Sequence, residues 1–250
     1  MKINNKNFHT IWYDKDANAV RIINQNKLPY NLEIITLNSV DDVIVAIKEM
    51  KVRGAPLIGC TGAFGVYLSC LKSSLKKDIN RDCENLIISR PTAVNLKWAV
   101  NRVKNTILNL PEGERATNAL IEALSIVNSD VENCQLIGEH GSKIIQNISE
   151  HKKNTVNVLT HCNAGWLATV DWGTATSPIY FAKNRGINLH VWVDETRPRL
   201  QGAHLTSFEL NNEEVDNTII SDNTGGYLML NKKVDICITG ADRIMSNGDV

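Results

Sequence analysis

Thr155-Val156-Asn157-Val158-Leu159-Thr160, followed by His161-Cys162-Asn163-Ala164-Gly165, decides the reading of the fold. The first six residues are mostly β-branched or apolar, which suits a buried strand, and the polar, glycine-bearing turn ends it. The same alternation continues beyond it, with helices around 167–184, 205–210 and 226–230 and strands at 188–193, 218–221 and 234–239. Repeated strand–helix–strand units imply a parallel sheet with right-handed crossovers. The polar clusters at 161–163, 194–197, 222–224 and 242–243 each follow a strand. They are therefore expected on one rim, where open α/β sheets bind ligands.

Cys162 stands just past the first of these strands and is the leading candidate for chemistry. A strand-to-helix loop supplies backbone N–H groups and the positive end of a helix, both of which favour a thiolate. A small cysteine packed as an apolar residue fits the same place. Position alone does not separate the two.

An apolar fraction of 43% over 250 residues can fill one large α/β domain or two modest ones. The change of pattern near Lys153 favours two, 1–150 and 151–250. Lys+Arg and Asp+Glu both total 27, so no net charge draws nucleic acid or an acidic membrane, whereas a small polar substrate needs only local charge. The cysteines at 60, 70, 83, 134, 162 and 237 form no C-x-x-C pair or metal-ligand spacing, which predicts a reduced, cytoplasmic protein. Residues 1–6 lack the apolar core of a signal peptide. The longest uncharged stretch, 54–71, carries Pro56, Gly59, Gly62 and Gly65 and suits a buried helix better than a bilayer span.

In the first half, residues 19–24 and 31–37 read as an antiparallel strand pair. Ser39, with Asp42 three residues on, reads as the cap of a helix. Further helices are expected from Pro56, from Pro91 and around 120–131. The fold class is thus α/β: a small N-terminal antiparallel sheet with a helical domain, then a Rossmann-like parallel-sheet domain. No helix follows to cover the last strand, so the expectation is a chain truncated at its C-terminus.

Arg53-Gly54-Ala55 precedes Pro56, a good first-turn proline, and sets an arginine beside the N–H groups of a helix start, an arrangement that suits phosphate. Arg90 before Pro91 repeats it, and arginine can grip phosphate bidentately. A plain surface charge is the other reading of each. Gly59 to Gly65 is not G-x-G-x-x-G and follows a helix, so no dinucleotide cofactor is expected. His161 and Cys162 point apart in extended chain and no second ligand pair has suitable spacing, so no metal is expected. Trp166, Trp172 and Trp192 suit core packing or an apolar pocket.

Taken in order, Arg53-Gly54-Ala55-Pro56, Ser89-Arg90-Pro91-Thr92-Ala93-Val94-Asn95-Leu96, Thr160-His161-Cys162-Asn163-Ala164-Gly165, Asp194-Glu195-Thr196-Arg197-Pro198 with Gln201-Gly202, and Gly240-Ala241-Asp242-Arg243-Ile244 with Asn247-Gly248-Asp249-Val250 resemble the methylthioribose-1-phosphate isomerase family. Its superfamily includes ribose-1,5-bisphosphate isomerases and the regulatory subunits of a translation-initiation exchange factor. The resemblance implies a cofactor-free, homodimeric intramolecular oxidoreductase of methionine salvage. It would convert 5-methylthioribose 1-phosphate to 5-methylthioribulose 1-phosphate.

By the same resemblance Asp242 is the proton donor and Cys162 the transition-state stabiliser or base, and Arg53, Gly54, Ala55, Arg90 and Gln201 bind substrate. A carboxylic acid that donates near neutral pH needs a raised pKa, which burial supplies. The family continues past Gly-Asp-Val with a substrate-contacting Asn-Lys pair. Trp166, Asp171-Trp172 and Trp192 differ from its usual small or aliphatic residues and keep 5-deoxyribose 1-phosphate open as an alternative substrate. The superfamily also leaves open the isomerisation of ribose 1,5-bisphosphate and a non-catalytic regulatory role.

Overall fold

The computed structural model describes residues 1–241 and 244–249, leaving Asp242, Arg243 and Val250 outside the described residues. The chain forms two compact units, Met1–Phe8 with Glu132–Val250, and His9–Val131. In the first, β1 (Lys2–Ile3) and β2 (Lys6–Asn7) make a short antiparallel hairpin. The Lys2 and Asn4 N–H groups tie it down by donating to Glu213 Oε1 at 2.5 Å and Asn212 Oδ1 at 3.0 Å.

In the unit His9–Val131, β3 (Ile11–Asp14), β4 (Ala19–Ile23) and β5 (Ile34–Leu37) form an antiparallel sheet in that order. The expected pair is β4 with β5, and β3 adds an edge strand. Ser39 caps α1 (Val40–Lys48), accepting from the Asp42 N–H at 3.1 Å, while Asp42 Oδ2 accepts from the Asn38 N–H at 2.9 Å.

Helices α2 (Ala55–Lys72), α3 (Lys76–Ile88), α4 (Val94–Ile107) and the first part of α5 (Glu112–Lys152) complete this unit. By length and composition α2 could cross a membrane, yet 78% of it is buried, as suits a core helix apolar on every side. Its glycines serve packing: a Cβ on Gly59 would lie 3.2 Å from the Asn95 carbonyl, and one on Gly62 2.4 Å from Leu96 Cδ1. Both steps advance along α2 and α4 together, so the two helices run parallel and their N-termini share one end.

The sequence reading passes over α3, whose buried stripe Ile79, Asp82, Cys83, Leu86 has helical spacing but includes an aspartate. Asp82 is buried because Ser69 Oγ donates to it at 2.9 Å and Arg81 pairs with it at 3.2 Å. The third expected helix starts at Val94 rather than Pro91. Arg90 instead opens a turn closed by the Ala93 N–H to its carbonyl at 3.0 Å.

Burial pushes the Cys70 thiol up to about 11 and that of Cys83 up to about 12, from an ordinary value near 9. Between these limits the unfolded chain has released protons that the folded chain still holds, so stability falls as pH rises. We expect the thermal midpoint to be steady in the thiols' contribution below pH 8 and to drop from about pH 9 upward. Calorimetry should find a shallower drop in Cys83→Ala; an unchanged slope would remove this thiol as a cause.

In the other unit, α5 leads into β6 (Val156–His161), α6 (Ser177–Asn184), β7 (Leu189–Asp194), α7 (Ser207–Asn212), β8 (Asn217–Ile220), α8 (Thr224–Leu230) and β9 (Ile236–Cys237). The strands form one parallel sheet in the order β8-β7-β6-β9, with Val156 opposite Leu189 through to His161 opposite Asp194. Valines 158, 191 and 193 are fully buried on one face. Leu159, Ile220 and Leu228 cluster on the other, with Trp192 and Val234 against them.

The expected α/β architecture is present, with two local differences. The helix expected over 167–184 is a 3-10 turn at Trp166–Ala168 followed by α6, and it is interrupted where Trp172 and Gly173 take positive φ. The strand expected at 234–239 pairs only at β9, although the Ile238 N–H still reaches the Leu159 carbonyl at 2.9 Å.

Candidate active site

Strands β6, β7 and β8 progress in one direction and β9 returns to the far side of β6. The topological switch therefore lies between β6 and β9, where a doubly wound sheet opens a crevice at its carboxyl ends. Cys162 is the first residue past β6, so it sits at that switch. Past β9, a Cβ on Gly240 would lie 2.8 Å from Ala164 Cβ, so the two exit loops touch. Asp242, two residues further, is outside the described residues.

Cys162 has φ +58°, in the left-handed region that costs an L-residue about 1–3 kcal/mol. Its Sγ donates to Gln201 Oε1 at 2.9 Å, joining two residues that the resemblance names separately. Gln201 is fixed from below: the Glu195 carboxylate accepts from the Gly202 and Ala203 N–H groups, both at 3.1 Å, at the start of the π-helical stretch Gly202–Thr206. That stretch crosses β7 so closely that a Cβ on Gly202 would stand 2.6 Å from the Asp194 carbonyl.

On the other side of the thiol, Thr206 Oγ1 donates to the Cys162 carbonyl at 2.5 Å and accepts from Asn163 Nδ2 at 3.0 Å. Behind them lies Glu209, fully buried on α7. Sequence reasoning missed Thr206 and Glu209. The available signal was a glutamate set among Leu205, Phe208 and Leu210, which a helical pattern treats as a misfit.

His161 and Cys162 engage different partners, as expected of adjacent residues. His161 Nδ1 lies 2.7 Å from Asp194 Oδ2. Asp222, whose Oδ2 accepts from the Arg197 N–H at 3.3 Å, comes near enough that one ligand atom from each of the three residues falls within 4.8 Å of the others. Among the described residues this is the donor set with cation-site spacing, a grouping in space that the sequence expectation, which concerned ligand spacing along the chain, does not address. The partners come from β7 and β8, so no local spacing announces them.

The tryptophans separate. Trp166 is fully buried, Trp172 packs on Phe181 with ring centroids 4.9 Å apart, and Trp192 donates its Nε1–H to the Lys233 carbonyl at 2.9 Å. Trp192 is thus committed to the α8 side of the sheet.

In the unit His9–Val131, Gly54 holds φ +86° as the residue before α2, a conformation that favours glycine, and no described side chain caps the helix. Ala55 opens the helix, and Arg53 is buried beside it, 8% exposed. Arg90 lies before the parallel neighbour α4, at the same end of this unit. Its Nη1 is buried with no hydrogen-bond partner among the described residues. An orphaned guanidinium donor near an uncapped helix start is a place for an anion.

A parallel sheet whose switch point carries a thiol, with arginines at paired helix starts in the second unit, defines the class. The chain belongs to the Initiation factor 2 subunit family, whose model matches residues 51–250. Particular relatives narrow this. All 250 residues align with 68% of the methylthioribose-1-phosphate isomerase of Methylorubrum populi at 51% identity, and the Escherichia coli protein of that name is 48% identical over 252 residues, with 68% of it covered. The crystal structure of 5-methylthioribose 1-phosphate isomerase from Pyrococcus horikoshii matches 98% of this chain and 68% of its own, with a TM-score of 0.86 and 37% identity. That of translation initiation factor eIF-2B subunit delta from A. fulgidus matches 95% of this chain and 69% of its own, with a TM-score of 0.82 and 36% identity.

Proposed function

We propose that this chain isomerises 5-methylthioribose 1-phosphate to 5-methylthioribulose 1-phosphate, with Cys162 and Asp242 as the acid–base pair. The observation that carries the reading is the Cys162 thiol, held in left-handed backbone at the switch point and 2.9 Å from Gln201 Oε1. The relatives' name supports the substrate.

The substrate's anomeric oxygen is esterified, so the ring cannot open by simple loss of a proton to an aldehyde. Asp242 protonates the ring oxygen as the C1–O bond breaks, hydrogen passes from C2 to C1, and the C2 hydroxyl gives up its proton to become the ketone. Cys162 stands at C1–C2 and Gln201 holds a sugar hydroxyl. Arg53, Arg90 and the N–H groups at Gly54 and Ala55 take the phosphate. On this reading the enzyme works as a cytoplasmic homodimer without a cofactor, and a sedimentation mass twice that of the chain checks the assembly.

Incubating the protein with the sugar phosphate and following the ketose by proton NMR tests the reaction. Ketose formation is expected; tight binding without turnover would leave a non-catalytic subunit. Arg90→Ala should weaken binding about 10- to 150-fold, the roughly 1.5–3 kcal/mol of a charge-assisted hydrogen bond, with the fold intact. Unchanged affinity by calorimetry would return Arg90 to a structural role.

A further inference from the structure

We propose that Glu209 is a positioning residue for Cys162, an inference that rests on the catalytic reading of that thiol. A carboxylate with no exposed surface must be compensated by donors, and here they come from outside its own helix. Oε1 accepts from Asn163 Nδ2 and the Leu167 N–H, both at 2.9 Å; Oε2 accepts from the Trp166 N–H at 3.1 Å and the Tyr180 hydroxyl at 3.2 Å.

Three of these donors belong to the five residues that follow Cys162. The Trp166 and Leu167 N–H groups are the start of a 3-10 turn that has no cap from its own N-cap residue, Gly165. Glu209 supplies that cap from a distant helix. The loop closes around it so tightly that a Cβ on Gly165 would fall 1.8 Å from Oε2. The negative charge is felt by its neighbour: burial first, then Glu209, pushes the Tyr180 hydroxyl well above its ordinary range.

The link to the thiol is short. Asn163 Nδ2 divides its two hydrogens between Glu209 Oε1 and Thr206 Oγ1, and the Thr206 hydroxyl donates onward to the Cys162 carbonyl at 2.5 Å. Glu209 and Thr206 are three residues apart, one turn, so a single helical segment grips both the loop beyond Cys162 and the carbonyl of Cys162 itself. A residue at φ +58° stays there only if its surroundings over-determine it. Here they do so without Glu209 touching the thiol.

The test uses Glu209→Gln, which keeps volume but turns an NH2 group toward one pair of N–H or O–H donors. Alkylation of Cys162 by iodoacetamide, read by mass spectrometry of its own peptide from pH 6 to 10, reports the thiol's environment. The expected result is a folded protein whose alkylation midpoint moves by about one pH unit or more, with kcat lowered about 10- to 100-fold and KM within about threefold. Thr206→Val, which cuts the link but leaves the loop's bonds to Glu209, should move both in the same direction, and Thr206→Ser should restore them. This second pair decides the matter if Glu209→Gln does not fold. Wild-type midpoint and kcat in the folded variants would overturn the proposal, even with a lowered melting temperature. If Cys162→Ser alone turned over normally, the catalytic reading would fail separately, while the alkylation midpoints would still report whether Glu209 positions the thiol.

Discussion

Cys162→Ser is expected to lower kcat by about 10²–10⁴-fold while leaving substrate affinity nearly unchanged. Serine occupies almost the same space and its hydroxyl can still donate to Gln201 Oε1, the partner now 2.9 Å from Sγ. What the substitution removes is the thiol itself, replaced by an alcohol whose proton does not leave in the working range. A loss of turnover with intact binding therefore isolates acid–base function from packing. Calorimetric binding beside steady-state rates makes the comparison, and near-normal turnover would eliminate the thiol from the chemistry. Turnover in deuterated water adds the route: deuterium at C1 of the ketose marks proton transfer through a base, whereas a direct shift from C2 carries the original hydrogen.

Gly165→Ala is the second large effect, and it falls on stability. The new Cβ would stand 1.8 Å from Glu209 Oε2 and 2.5 Å from Cδ, distances no real contact tolerates. A flexible side-chain end would swing away at little cost, but this carboxylate is held by Asn163, Trp166, Leu167 and Tyr180. Either the loop moves or buried hydrogen bonds break, each broken one costing about 1–3 kcal/mol in addition to overpacking. A loss of about 3–5 kcal/mol by urea unfolding is expected. Gly226→Ala is the control: nothing lies within 4 Å of its Cβ, and in the exposed part of α8 alanine should add up to about 1 kcal/mol. Similar losses for both would show that steric contact with Glu209 is not the cause.

The helical half illustrates what a one-dimensional pattern carries and what it misses. Ser39 with Asp42 was legible as a cap because both partners lie within one turn, and the 3.1 Å bond from the Asp42 N–H to Ser39 Oγ is the one that spacing implies, while the Asp42 carboxylate accepts at 2.9 Å from the Asn38 N–H, one residue before the cap. Helix α3 was not, since its buried face includes Asp82, acceptable only because Ser69 on α2 and the adjacent Arg81 meet it. Gly59 and Gly62 read as part of a buried helix, but the partner that their small size admits, α4, was not legible.

The sequence by itself determined the parallel sheet, its strands to within a few residues, and the position of Cys162 just past the first of them. These follow from the two-residue period of strands and from turn chemistry, which act between near neighbours along the chain. Only the tertiary structure decided the order β8-β7-β6-β9, which makes that position a switch point. It alone decided the meeting of Cys162 with Gln201, 39 residues away, and the burial of Glu209 beneath the loop. The reason is physical: such contacts depend on which way each crossover returns and on how a distant carboxylate finds donors when the chain closes over it, and neither leaves a period in the sequence.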